Sequence, residues 1–156
     1  GVTEGYSSPM RRASELPWVK HIVQVGLRGT GSARGQEVRD ALAWGARLIT
    51  ARQVHQQGIG AALEAIPEGG NYLITVDCDG VDPTVMPGVA GPVPGGLTFP
   101  QVAELMQGVA RKGRVVGLEI VELVPDLDVN QITAITAGRI ILNVIGAAVR
   151  AGQFGR

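Results

Sequence analysis

Residues 71–98, NYLITVDCDGVDPTVMPGVAGPVPGGLT, constrain the fold more than any other stretch of this chain. The opening run, Tyr72-Leu73-Ile74-Thr75-Val76, is apolar and β-branched, with the length and composition of a buried strand. It stops at three carboxylates, Asp77, Asp79 and Asp82, and a loop rich in Pro and Gly follows. Alternation along a strand puts Asp77 and Asp79 on the same side, about 7 Å apart at Cα. Like charges held that close at the mouth of an apolar core repel one another and lose hydration. A divalent cation offsets both costs. The carboxyl end of a strand in an α/β sheet is also where ligands sit. The spacing therefore predicts Asp77 and Asp79 as metal ligands.

Other readings of the same residues are weaker. A lone Asp after a strand is commonly a turn former or a helix cap, but three at this spacing ask for more. An EF-hand loop needs Gly at its sixth position and Glu at its twelfth, where this chain has Asp82 and Gly88. A strand ending in Asp-x-Asp-Gly-Val also looks like the nucleophile motif of haloacid-dehalogenase-type phosphatases, with Asp77 as nucleophile and Asp79 as general acid. That chemistry also needs a downstream Lys and an acidic pair. The only Lys after the motif is Lys112, next to a helix end, and Asp126 and Asp128 end no convincing strand.

A chain of 156 residues is one domain, 1–156, long enough to bury a core. Fourteen basic residues balance 14 acidic ones, so nothing in the charge points to nucleic acid or an anionic membrane surface. No apolar run is expected to reach the length needed to span a membrane, and no signal peptide is visible although the first residue is Gly. The single cysteine, Cys78, leaves no disulfide within the chain. A reducing, cytoplasmic location is expected on that ground. Lying between Asp77 and Asp79, Cys78 reads as a small packed apolar residue.

The periodicities predict alternating strands and helices. A short helix runs from Met10 to Leu16, a strand from His21 to Arg28, and a helix from Gln36 to Gly45 with Val38, Leu42 and Ala41 inward. A strand Arg47–Thr50 leads into a helix Ala51–Gln57 capped by Thr50 and closed by Gly58. Further helices cover Ile59–Ile66, Phe99–Arg111 and Gln131 to about Val149. Thr98 caps the second of these, whose stripe Val102, Leu105, Met106 and Val109 faces the sheet. The Ile132, Ile135, Ile140, Leu142 and Ile145 spacing of the last helix predicts burial on more than one face. Arg114–Val121 is a second apolar strand, running into Glu119 and Glu122. Connections of helix length predict a parallel sheet covered by helices on both sides. Gly29-Thr30-Gly31-Ser32 has the spacing of neither phosphate-loop motif. His21 and His55 read as surface or capping residues, not catalytic bases, and Arg11 and Arg12 as a solvated or salt-bridged pair.

The motif Asp77-Cys78-Asp79-Gly80-Val81-Asp82-Pro83, with Pro87-Gly88 and Pro94-Gly95-Gly96-Leu97, resembles the signature of the ureohydrolases. That family includes arginase, agmatinase, guanidinobutyrase, proclavaminate amidinohydrolase and formimidoylglutamase. Pro9-Met10-Arg11-Arg12-Ala13, Val25-Gly26-Leu27-Arg28-Gly29 and Val116-Gly117-Leu118-Glu119-Ile120-Val121-Glu122 extend the likeness, which is closest to the agmatinase branch. It implies a three-layer α/β/α fold of arginase type with a parallel sheet. It implies a binuclear manganese (Mn2+) site and hydrolysis of a guanidino compound to urea and an amine. By that resemblance Asp77 and Asp79 match a metal-ligand pair, and Glu122 matches a carboxylate that holds the guanidinium. Asp82, followed by Pro83, is expected to shape the loop.

Departures from the family pattern shape the remaining expectations. Two upstream ligand motifs, Gly-Gly-Asp-His and Asp-Ala-His-x-Asp, are not in this chain, which reads as the C-terminal portion of the domain. Tyr6-Ser7 stands where agmatinases carry His-Gly, Val89-Ala90-Gly91 stands in place of Thr-Gly-Thr, and Glu119 stands where Asp is usual. The expected partners are a small guanidino substrate and either further copies of the chain or the missing N-terminal half. Nucleic acid and membrane are not expected. The alternative function is a non-catalytic subunit assembling with an active partner.

Overall fold

Two Thr–Gln pairs fix helix starts in this chain. The Thr50 hydroxyl accepts the Gln53 N–H while the Gln53 side chain accepts the Thr50 N–H, at 3.2 and 2.8 Å. Thr98 and Gln101 repeat the device at 3.4 and 2.9 Å. Each pair satisfies donors that a helix start leaves free.

The computed structural model describes residues 3–154. In chain order the elements are α1 (Pro9–Ser14), β1 (Val23–Leu27), α2 (Gly35–Trp44), β2 (Arg47–Thr50), α3 (Ala51–Gln57) and α4 (Gly60–Glu64). Then come β3 (Asn71–Asp77), a 3-10 turn (Cys78–Gly80), α5 (Phe99–Lys112), β4 (Arg114–Val121), a second 3-10 turn (Pro125–Leu127) and α6 (Ile132–Arg150). The strands form two parallel pairs, β1 with β2 and β3 with β4, joined through no common strand among the described residues. A single parallel bridge, Val81 to Leu97, extends the order into the loop after β3.

One core holds these parts together. Ile74 and Val76 of β3 meet Val102, Leu105, Met106 and Val109 of α5 and Ala137, Ile140 and Val144 of α6, with Met86 and Val89 of the loop enclosed among them. Burying a side chain such as Ile140 contributes about 1.5–3 kcal/mol. The stripe read on α5 is thus the buried one. Cys78 is fully buried in the same core, and burial, then the charge of Asp77, pushes its thiol up to about 11. It is an inert packing group.

Three expectations are corrected. Val38 and Leu42 of α2 do not point inward, for α2 has no buried residue and Leu42 is 54% exposed. The amphipathic pattern is real, but of the three residues read as inward only Ala41 is half-buried. The outer side of α6 is also open, with Ile135, Leu142, Ile145 and Val149 exposed. Finally, α6 is long and apolar enough to cross a membrane by length and composition, at mean hydropathy 1.8, although no span was read from the sequence. Its Thr133, Ala137, Ile140, Val144 and Ala147 face packs into the core, as the core helix of a layered α/β domain does.

The two faces of the β3–β4 pair differ. Ile74 and Val76 go into the core, whereas Leu73, on the other face, is 68% exposed. On that open face the Thr75 hydroxyl donates to Glu119 at 2.8 Å across the strands. Parallel strands are ordinarily covered on both faces. Here one is bare.

Candidate metal and guanidinium site

Register brings the carboxylates together. Asp77, the last residue of β3, pairs with Val121, the last residue of β4, and Glu122 follows directly. Because the strands run parallel, all three residues lie at the same carboxyl edge. Glu122 has φ 58, a left-handed backbone that non-glycine residues rarely adopt, and one that costs of order 1–3 kcal/mol. Such strain clusters at sites that need a particular side-chain direction.

Asp79 is not on the strand. The chain leaves β3 at Asp77 and turns, and the Asp79 N–H donates to Asp77 Oδ1 at 3.1 Å. The pair is therefore joined by a tight turn, not by strand alternation as the spacing suggested. Burial first, then the charge of Asp79, with Glu122 adding to it, pushes Asp77 up to about 6. Both causes are those anticipated, lost hydration first and then a like charge close by.

Asp82 does a different job. Its Oδ1 accepts the Thr84 hydroxyl at 2.5 Å and the Thr84 N–H at 3.0 Å. Its Oδ2 accepts the Gly95 and Gly96 N–H groups at 2.8 and 3.1 Å. The Thr84 hydroxyl first, then these N–H donors, hold it down at about 2. Asp82 shapes the loop, each of its oxygens accepting two hydrogen bonds from it.

The loop has two further anchors that sequence reasoning missed. The Arg28 guanidinium, at the end of β1, donates to carbonyls of Asp79 and Val93. His55 Nε2 lies 3.0 Å from the Gly96 carbonyl, with Gln101 Nε2 3.4 Å from its Nδ1. A carbonyl only accepts, so His55 carries its proton on Nε2 here. Both bind backbone across more than 40 residues, so no local motif announces them. The nearest signal was the Gly26-Leu27-Arg28-Gly29 segment.

The donor set suits a hard divalent cation in kind, since carboxylate oxygens prefer such ions. It falls short in number: among the described residues, no group of three or more His, Cys, Asp and Glu side chains is gathered to hold a metal. A Cβ built on Gly91 would stand 3.7 Å from Asp79 Oδ2, so a larger residue there would pack on that carboxylate. Tyr6 is 97% exposed. A shallow cleft of about 580 Å3 at the carboxyl ends of β1 and β2 is lined by Leu27, Arg28, Thr50 and His55 but by none of Asp77, Asp79 or Glu122. Lys112 pairs with Glu68 just before β4 begins, at the sheet edge opposite Asp77. The run of β3 from Asn71 to Asp77, about 20 Å, separates that edge from Asp77, which removes the Lys that phosphatase chemistry would need.

These features define a parallel α/β domain with a carboxylate cluster at the carboxyl edge of its strands. The Arginase family profile matches residues 3–146, and the chain belongs to the arginase family. N(1)-aminopropylagmatine ureohydrolase of Thermus thermophilus is 35% identical over 138 residues, covering 86% of this chain and 45% of the relative. Agmatinase of Chromobacterium violaceum is 33% identical over 104 residues, covering 65% of this chain and 32% of the relative. Among solved structures, proclavaminate amidinohydrolase from Streptomyces clavuligerus superposes with TM-score 0.72 at 30% identity, over 83% of this chain and 42% of that one. Arginase from Bacillus caldovelox does so with TM-score 0.70 at 27% identity, over 81% and 43%. The chain thus spans under half the length of these relatives. The resemblance read from the motifs and the arginase-like α/β fold are both borne out.

Proposed function

We propose that this chain supplies one side of a binuclear manganese centre that hydrolyses a guanidino compound to urea and an amine, in the manner of an agmatinase. Asp77 and Asp79 would hold the metal, and Glu122 would hold the substrate. The observation that carries the reading is the convergence of these three carboxylates at one sheet edge in a chain of the arginase family. When bound, a metal pair supplies water activation near neutral pH. The protein's own part is positioning. Glu122, at its strained backbone, accepts charge-assisted hydrogen bonds from the cationic guanidinium and turns the carbon toward the carboxylate pair.

With only two ligands at hand, the remaining ones come from another polypeptide segment or chain. The bare face of β3–β4 and the open side of α6 support that association, since exposed apolar surface of this kind marks an interface. A second reading, a non-catalytic subunit, is motivated by Tyr6 and Gly91. Gly91 places no side chain of its own on Asp79, and Tyr6 stands where agmatinases carry a histidine.

The test is reconstitution. The chain alone should bind Mn2+ weakly and release no urea from agmatine. A complementing segment that carries His and Asp ligands should restore both. In the reconstituted protein Asp79→Ala should abolish bound metal and activity together, whereas Glu122→Gln should keep the metal and raise KM. Restored metal without urea release would favour the non-catalytic subunit. Urea release by the isolated chain at the reconstituted rate would refute the shared-site reading.

A further inference from the structure

The loop bearing Asp79 leaves several carbonyls without a strand to pair with, and one side chain collects them. Arg28 Nη2 donates to the Asp79 carbonyl at 2.5 Å, to Val93 at 2.6 Å and to Val81 at 3.4 Å. Its Nη1 donates to Gly80 at 3.3 Å and Gly26 at 3.4 Å, and its Nε to Val93 at 3.0 Å. Among the described residues Arg28 makes no carboxylate ion pair. A half-buried cation is thus balanced by carbonyl dipoles alone. Asp82 does the complementary work, collecting the N–H groups of Thr84, Gly95 and Gly96. Between them, one cation and one anion extend what the single Val81–Leu97 bridge begins, holding the rest of this loop's backbone without a neighbouring strand.

We propose that Arg28 is the positioning residue of the metal site: by clamping the Asp79 and Val93 carbonyls from the end of β1, it fixes the direction in which Asp79 presents its carboxylate beside Asp77. The proposal rests on the metal reading of Asp77 and Asp79. Only a planar fork with five donors reaches carbonyls on both arms of the loop. A lysine keeps the charge but can satisfy just part of the set. The clamp touches only backbone on the far side of the turn, so Arg28 meets neither metal nor substrate.

The experiment titrates the chain with Mn2+ at pH 7.5 and reads free ion from its six-line electron paramagnetic resonance signal. Arg28→Met should weaken Mn2+ binding at least tenfold and broaden the bound-ion spectrum. Arg28→Lys should fall between Met and the parent, and it serves if the Met variant fails to fold. Val109→Ala, a core truncation in α5, should lower the melting temperature but leave Mn2+ affinity within twofold. Parent-like affinity in Arg28→Met or Arg28→Lys, with Asp79→Asn abolishing binding, would overturn the clamp while leaving the metal reading intact. An equal loss in Val109→Ala would also overturn it, because general loosening would then explain the effect. Unchanged binding in Asp79→Asn would sink the metal reading, and the clamp with it.

Discussion

The Gly88 N–H donates to the hydroxyl of Thr133 at 2.7 Å, and Thr133 is fully buried. This single bond ties the loop after the carboxylates to the first turn of α6. Thr133→Val keeps the shape and removes the acceptor, leaving a buried donor unsatisfied. The expected cost is about 1–3 kcal/mol, read as a lower midpoint in urea. Thr133→Ser, which keeps the hydroxyl, should recover much of it. A Val variant as stable as the parent would show that water takes over the bond.

Gly96 allows the loop to close against the strand it came from. A Cβ there would stand 2.5 Å from both the Asp82 nitrogen and the Val81 carbonyl carbon. Neither is the end of a flexible side chain, so backbone must move. Gly96→Ala should destabilise the chain by about 1–3 kcal/mol and release the His55 contact, visible as a shift of the His55 ring resonances. Gly91→Ala, with its nearest neighbour at 3.7 Å, should be tolerated in the same assay.

Asp77 predicts a pH dependence with a definite sign. Its ordinary value is 3.8, raised in the folded chain to about 6. Below 3.8 both states are protonated and the group contributes nothing against folding. Between 3.8 and about 6 the folded chain keeps a proton that the unfolded chain has released, so stability falls as pH rises through that window. Above about 6 the penalty is complete. Asp77→Asn should therefore be more stable than the parent at pH 7, with the difference vanishing near pH 4. Mn2+ competes with the same proton, so its affinity should fall as pH drops below about 6.

The open side of α6 sets an expectation about size in solution. Leu142 is 59% exposed, and Ile135, Ile145 and Val149 share its face. Light scattering of the chain alone should give a mass that rises with concentration. Ile145→Lys and Leu142→Lys should lower it toward the monomer without lowering the melting temperature, because both side chains already meet solvent.

The sequence was legible where pattern and chemistry coincide. Thr50 and Thr98 announced their helices through Gln three residues on, and the Asp77 strand announced its end through charge. Glu122 could be matched to the same edge because β4 is nearly as apolar as β3. Asp79 was harder: strand alternation and a tight turn both put it near Asp77, and only the Asp79 N–H bond to Asp77 tells them apart. Arg28 and His55 were illegible, since their partners are carbonyls, which every residue has. The outward apolar residues of α2 and α6 misled for a different reason. Periodicity reports that a face wants to be buried, not that the chain itself contains what buries it.

Two separate strand pairs leave no interior strand among the described residues. Each of the four strands is an edge, with backbone amides on one side facing no partner strand. Slow amide exchange needs both a hydrogen bond and a neighbourhood that opens rarely. In this chain those conditions meet in α5 and α6, where Val102, Met106, Ile140 and Val144 lie fully enclosed. The last protons to leave in deuterated water should therefore be helical, and the strands that carry Asp77 and Glu122 should label early. Ligand or partner would then announce itself first as a slowing of exchange in β3 and β4.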